Sequence, residues 1–126
     1  MLTFFGSLGA AVCMGIAAIG SAIGIGIAGQ GAVGAWKRCY INNKPAPFIL
    51  TVFAGAPLTQ TLYGFLLTKR MVTSAADPWQ LLGLGIASGL AMCFSAIAQG
   101  KAGAAGSDIN QNFSVYQNSG ICHRNV

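Results

Sequence analysis

Residues 21–36 read SAIGIGIAGQGAVGAW. Within them GIGIAG, Gly24 to Gly29, satisfies the G-x-G-x-x-G pattern of nucleotide-binding turns. Such a turn needs a strand before it, a helix after it and an acid about 20 residues on. These glycines instead lie inside residues 1–36, which carry no charged side chain, and residues 45–52, PAPFILTV, hold no acid. The nucleotide reading therefore fails on context. Placed on a helix, Gly20, Gly24, Ala28, Gly31 and Ala35 step by 4, 4, 3 and 4 and form one face. Small residues on one face let helix backbones come close, and in lipid that packing helps drive association.

Two further uncharged runs follow, 45–68 and 78–100. Each exceeds the ~20 residues that a helix needs to cross the hydrocarbon. Charged residues make up 7% of the 126-residue chain and hydrophobic ones 54%, with two acids, Asp77 and Asp108. A soluble domain carries near 25% charged residues, so the composition points to a membrane. The first run lacks the basic start and short apolar core of a signal peptide. The breaks between runs are polar and proline-marked, Asn42-Asn43-Lys44-Pro45-Ala46-Pro47 and Ala75-Ala76-Asp77-Pro78. Trp36 and Trp79 stand at run edges, where indole rings favour the interface.

These signals predict an all-α, multi-pass membrane protein with helices near 3–36, 47–70 and 79–105. Residues 1–70 form a first transmembrane hairpin, 71–105 the first helix of a second, incomplete hairpin, and 106–126 a polar, disordered C-terminal tail. The net charge of +5 is scattered at the ends of the apolar runs, which suits topology rather than nucleic acid. Lys37, Arg38, Lys44, Lys101 and Arg124 stand against Lys69 and Arg70, five to two, and place the first loop and C-terminus in the cytoplasm. Cys13, Cys39, Cys93 and Cys122 show no C-x-x-C spacing, and Cys122 with His123 falls short of the four ligands of a structural zinc site.

The third run carries its own small face, Gly85, Gly89, Cys93, Ala96, Gly100 and Gly103. A shift of 69 residues lays Gln30-Gly31 of the first run on Gln99-Gly100 of the third, together with Ala18, Gly20, Ala22, Gly34 and Ala35 on Ala87, Gly89, Ala91, Gly103 and Ala104. This is the pattern of a duplicated two-helix hairpin. Generic helix packing and the tight wall of a multi-subunit ring both account for the small faces.

The second run contains AGAPLTQTLYGF, residues 54–65. Ala56, Thr59, Gln60 and Tyr63 share a helical face, and Pro57 removes the donor that the Phe53 carbonyl would receive. Hydroxyl, amide and phenol groups are costly in a bilayer unless satisfied. They serve either as interhelical hydrogen bonds or as part of an oxygen-lined site for a hard cation or proton, with Gln99 as a further oxygen donor at similar depth.

The stretches LTQTLYGF, SAIAQGKAGAAG and SAIGIGIAGQGAVGA resemble the membrane rotor proteolipid of V/A-type rotary ATPases, subunit K, a duplicated relative of the F-type c subunit. The resemblance covers about residues 1–106. It implies a homo-oligomeric ring in membrane lipid that turns against a static membrane subunit and connects through a central stalk. The ring carries H⁺ or Na⁺ in step with ATP hydrolysis or synthesis elsewhere, and the ring subunit is itself non-catalytic. The implied ion ligands are the Ala56 carbonyl, Thr59, Gln60 and Gln99, with Tyr63 bonding a key carboxylate and Na⁺ favoured over H⁺. The implied location is the plasma membrane, bacterial or archaeal, or an endomembrane.

The family's essential glutamate belongs to a fourth helix that this sequence does not show. Gln60 and Gln99 cannot stand in for it, because an amide does not ionise near neutral pH. No predicted helix holds a carboxylate, so the chain is expected not to translocate ions alone. A disrupted reading frame after about Gly106, a three-helix variant borrowing a neighbour's acid and an assembly subunit each account for this. A small membrane transporter or channel subunit, or a structural assembly protein, is the alternative function.

Overall fold

The computed structural model describes the backbone of residues 2–43 and 48–122 and the side chains of 4–43 and 48–109. Lys44, Pro45, Ala46 and Pro47 of the expected first turn, His123 and Arg124, and the side chain of Cys122, lie outside the described residues. Among them there are four helices, α1 (Leu2–Ile41), α2 (Ile49–Gly55), α3 (Leu58–Val72) and α4 (Pro78–Cys122), and no strand. Three segments are long and apolar enough to cross a membrane: Phe4–Ile41, Ile49–Val72 and Pro78–Ile109.

Each helix boundary has a local cause. α1 runs past the expected end at 36 because Lys37 and Arg38 are good helix formers whose long side chains reach outward. It stops where Asn43 takes a left-handed conformation (φ 51°), the geometry that ends helices. Asn42 returns its side-chain amide to the Arg38 carbonyl at 2.9 Å. The second span is one helix in the sequence reading and two in the structure. Pro57 donates no N–H and divides α2 from α3. Pro78 opens α4, a position where the missing N–H costs nothing.

α4 also outruns its expected end at 105 and keeps helical backbone through Cys122. No proline follows Pro78, and extending a formed helix is far easier than starting one. Asp108 consequently stands on a helix, which corrects the expectation that none carries a carboxylate. It pairs with Arg38 of α1 at 4.0 Å, with both side chains exposed.

The core is a contact between α1 and α4, and it is made of small residues. Gly20, Gly24, Ala28 and Ala35 are buried on α1, with Gly31 half-buried; Gly85, Gly89, Ala96, Gly100 and Gly103 are buried on α4. Gly9 lies against Gly85, Cys13 against Gly89, Gly20 against Cys93 and Gly24 against Gly100, so the two helices run parallel. A Cβ placed on Gly31 would sit 2.7 Å from the Ala104 Cα. Parallel packing along equivalent faces is the arrangement a duplicated hairpin produces.

The second span lies antiparallel across α1. Leu50 packs with Ala32 and Ala35 at one end, and Met71 with Ala10 and Cys13 at the other. Thr68 donates to the Ala10 carbonyl at 3.1 Å. Trp79, stacked on Phe5 at 4.9 Å between ring centroids, and Trp36, near the last turn of α1, mark opposite ends of the bundle. Cys13 and Cys39 are buried and Cys93 half-buried, all three as free thiols. Large side chains such as Ile19, Ile23, Val52, Leu62, Leu66 and Phe94 face outward, as residues in lipid or against another subunit do.

Candidate functional site

The division at Pro57 shapes the polar centre of the bundle. Upstream of it, α2 ends and leaves carbonyls without the donors that a continuous helix would supply. The Ala56 carbonyl recruits both groups of Thr59, the backbone N–H at 3.3 Å and the hydroxyl at 2.9 Å. The Pro57 carbonyl receives the backbone N–H of Gln60 at 3.3 Å.

Phe53, Ala56 and Thr59 then form one side of a groove of about 390 Å³, and Gln99, Ala102 and Gly103 of α4 form the other. Gly103 lets the walls meet: a Cβ there would stand 2.8 Å from the Phe53 carbonyl oxygen. The Gln99 side-chain oxygen is buried and receives no hydrogen bond among the described residues. An unsatisfied buried oxygen costs about 1–3 kcal/mol. Oxygens of this kind are what a hard cation or a donor on another chain would take up.

Of the five residues singled out in the sequence, the structure brings Ala56, Thr59 and Gln99 to this groove. Gln60 lies beside it, on the contact between α3 and α4, and donates its amide to the Ser95 hydroxyl at 3.1 Å. That bond spends the nitrogen end of the amide and leaves the oxygen end as an acceptor. Tyr63 is not gathered in. It is 59% exposed on the outer surface of α3. Among the described residues no carboxylate lines the groove; Asp108, nine residues beyond Gln99, is about 14 Å further along the helix axis.

Sequence reasoning missed Ser95, and it named the Phe53 carbonyl as loosened by Pro57 without counting Phe53 among the site residues. Ser95 precedes Gln99 by four residues and so shares its face, a signal that was present. Phe53 enters through its position four residues before Pro57, the carbonyl whose donor the proline removes.

Replacing Gln99 by leucine is expected to stabilise the isolated chain by about 1 kcal/mol, since it exchanges an unsatisfied buried amide for an apolar side chain of similar size. Unfolding in mixed micelles followed by circular dichroism measures this. A loss of stability of about 1 kcal/mol would mean that the amide is bonded within the chain.

No known family profile matches the chain, and no solved structure matches it. It is 40% identical over 104 residues to the A-type ATP synthase subunit K of Methanocaldococcus jannaschii, an alignment that takes in 80% of this chain and 44% of that protein. The chain therefore spans less than half the length of the curated relative it matches. The chain is thus similar over 80% of its length to an A-type ATP synthase subunit K, and three of its segments are apolar and long enough to cross a membrane.

Proposed function

We propose that the chain is a rotor-ring component of an A-type rotary ATPase, embedded in the membrane, and that its groove is the oxygen half of a cation site. The observation that carries this reading is the buried, unpartnered side-chain oxygen of Gln99, a residue that lines a groove with Ala56 and Thr59. Neutral oxygens replace water around Na⁺, which favours Na⁺ over H⁺ as the ion carried. Gln60 follows Thr59 in sequence, and its side-chain oxygen is the further ligand of this reading.

The groove supplies no negative charge. A cation held by neutral oxygens alone in a bilayer is poorly compensated, and a proton carrier would have nothing to titrate. The acid must come from outside the three spans, from a neighbouring copy or another segment of the assembly. By the charge count, the end carrying Lys37 and Arg38 faces the cytoplasm. The exposed apolar faces of α1 and α4 suit neighbouring copies around a ring, and the ring works against a static membrane subunit.

The test is ion flux. Proteoliposomes holding the chain alone are expected to take up ²²Na⁺, or to acidify under an imposed gradient, at the rate of protein-free vesicles. Uptake above that background would contradict the need for an outside acid and favour a small transporter or channel.

A further inference from the structure

We propose that Ser21 and Gly24 of α1 form a seat that fixes the junction of α2 and α3, and that Ser21 thereby positions the Ala56 carbonyl and the Thr59 hydroxyl. Ser21 is 2% exposed, and Pro57 is fully buried against α1. The Ser21 hydroxyl donates to the Pro57 carbonyl at 2.9 Å, across 36 residues of sequence. Gly24, one turn further along, makes room for the proline ring: a Cβ there would lie 2.9 Å from the Pro57 Cβ. One partner thus holds the carbonyl of Pro57 and the other its ring. Together they set the rotation of the peptide that begins at Ala56.

Close packing explains the glycine but not the serine. Ala17, Ala28, Ala32 and Ala35 fill other buried places on α1, and alanine would fill position 21 equally well. Ser21 is the buried hydroxyl of α1 among the described residues, and its hydrogen goes to the one residue that breaks the second span. In a low-dielectric interior such a bond is strong and its loss is costly. Without it the Pro57 carbonyl keeps only the 3.3 Å bond from the Gln60 backbone, and the junction of α2 and α3 is free to turn about the Cα–C bonds of Ala56 and Pro57. The Ala56 carbonyl would turn with it, and Thr59, bonded to that oxygen, would follow.

The inference rests on the proposed function only in taking Ala56 and Thr59 as cation-facing oxygens. The seat itself is independent of any ion. The test is magic-angle-spinning NMR on the full chain in lipid bilayers. Carbonyl-¹³C proline with ¹⁵N leucine selects the Pro57–Leu58 peptide, because no other proline in the chain precedes leucine. Carbonyl-¹³C alanine with ¹⁵N proline selects Ala56–Pro57 and Ala46–Pro47. Ser21→Ala is expected to move both the Pro57 and the Ala56 carbonyl resonances by more than a linewidth, and Ser21→Thr, which keeps the hydroxyl, to restore them.

Unmoved resonances in Ser21→Ala would overturn the proposal. So would a moved Pro57 carbonyl beside an unmoved Ala56 carbonyl, or a threonine variant that behaves like alanine. Should the alanine variant fail to insert, Ser21→Cys is read in the same way, since a thiol fits the space and donates only weakly. A separate arm reads the Ala56 carbonyl of an Ala102→Glu chain in sodium chloride and in choline chloride. No response to sodium there, with the serine dependence intact, removes the cation reading and leaves the seat standing.

Discussion

Gly100→Val is expected to destabilise the chain by about 3 kcal/mol or more, while Gly34→Val changes stability by less than about 0.5 kcal/mol. The contrast follows from where the two glycines stand. A Cβ on Gly100 would lie 2.6 Å from the Gly24 Cα and 2.7 Å from its carbonyl carbon, closer still to its oxygen. Those atoms are backbone, on a helix that is itself pressed against Pro57, so no rotamer change relieves the clash. The helices must separate, and the contacts of Gly20 with Cys93 and of Gly31 with Ala104 are lost with them. A Cβ on Gly34 meets nothing within 4 Å. Both substitutions share the same change in helix propensity, so their difference reports packing alone. Unfolding midpoints in dodecyl sulfate titrations of micellar protein measure it, and equal midpoints would refute the parallel α1–α4 contact.

Ala102→Glu is expected to tighten Na⁺ binding by about 10- to 100-fold over the unmodified chain, equivalent to about 1.4–2.7 kcal/mol. Ala102 lines the groove opposite Ala56 and Thr59 and is exposed, so a longer side chain has room. A carboxylate about 4 Å from a monovalent cation attracts it by about 4 kcal/mol at an effective dielectric constant near 20. Removing both groups from water takes back part of that gain. The sign with pH follows from the charge: the carboxylate attracts Na⁺ only while ionised, so binding is strong at high pH and fades as protons neutralise the acid. Equilibrium dialysis with ²²Na⁺ at about pH 8 and about pH 5 measures both effects. Adding Gln99→Leu to Ala102→Glu is expected to abolish most of the gain. An Ala102→Glu chain that binds Na⁺ no better than the parent would show that the groove oxygens do not face a common point.

The three spans were legible because a bilayer leaves a coarse mark: long stretches without charge, bounded by Asn-Asn and Asp-Pro. The packing faces were legible for a related reason. In lipid, close approach requires small side chains, so a row such as Gly85, Gly89, Ala96, Gly100 and Gly103 marks the contact in the sequence alone. The helix break at Pro57 follows from the chemistry of proline. What periodicity could not supply was the pairing across helices. Nothing local to Ser21 announces that its hydroxyl meets Pro57, and nothing local to Gln60 announces Ser95. Tyr63 shares a helical face with Thr59 by spacing, yet one turn along α3 has already left the groove for the exposed surface. The length of α4 escaped because polarity ends a membrane span without ending a helix.

Assembly is the property on which the reading as a rotor proteolipid depends most. The mass of the full chain, extracted from its membrane in mild detergent and weighed intact by native mass spectrometry, tests it most directly. The account predicts a single closed oligomer of many copies that persists through detergent exchange. A monomer or dimer as the largest species, across detergents that keep the helices folded, would contradict it.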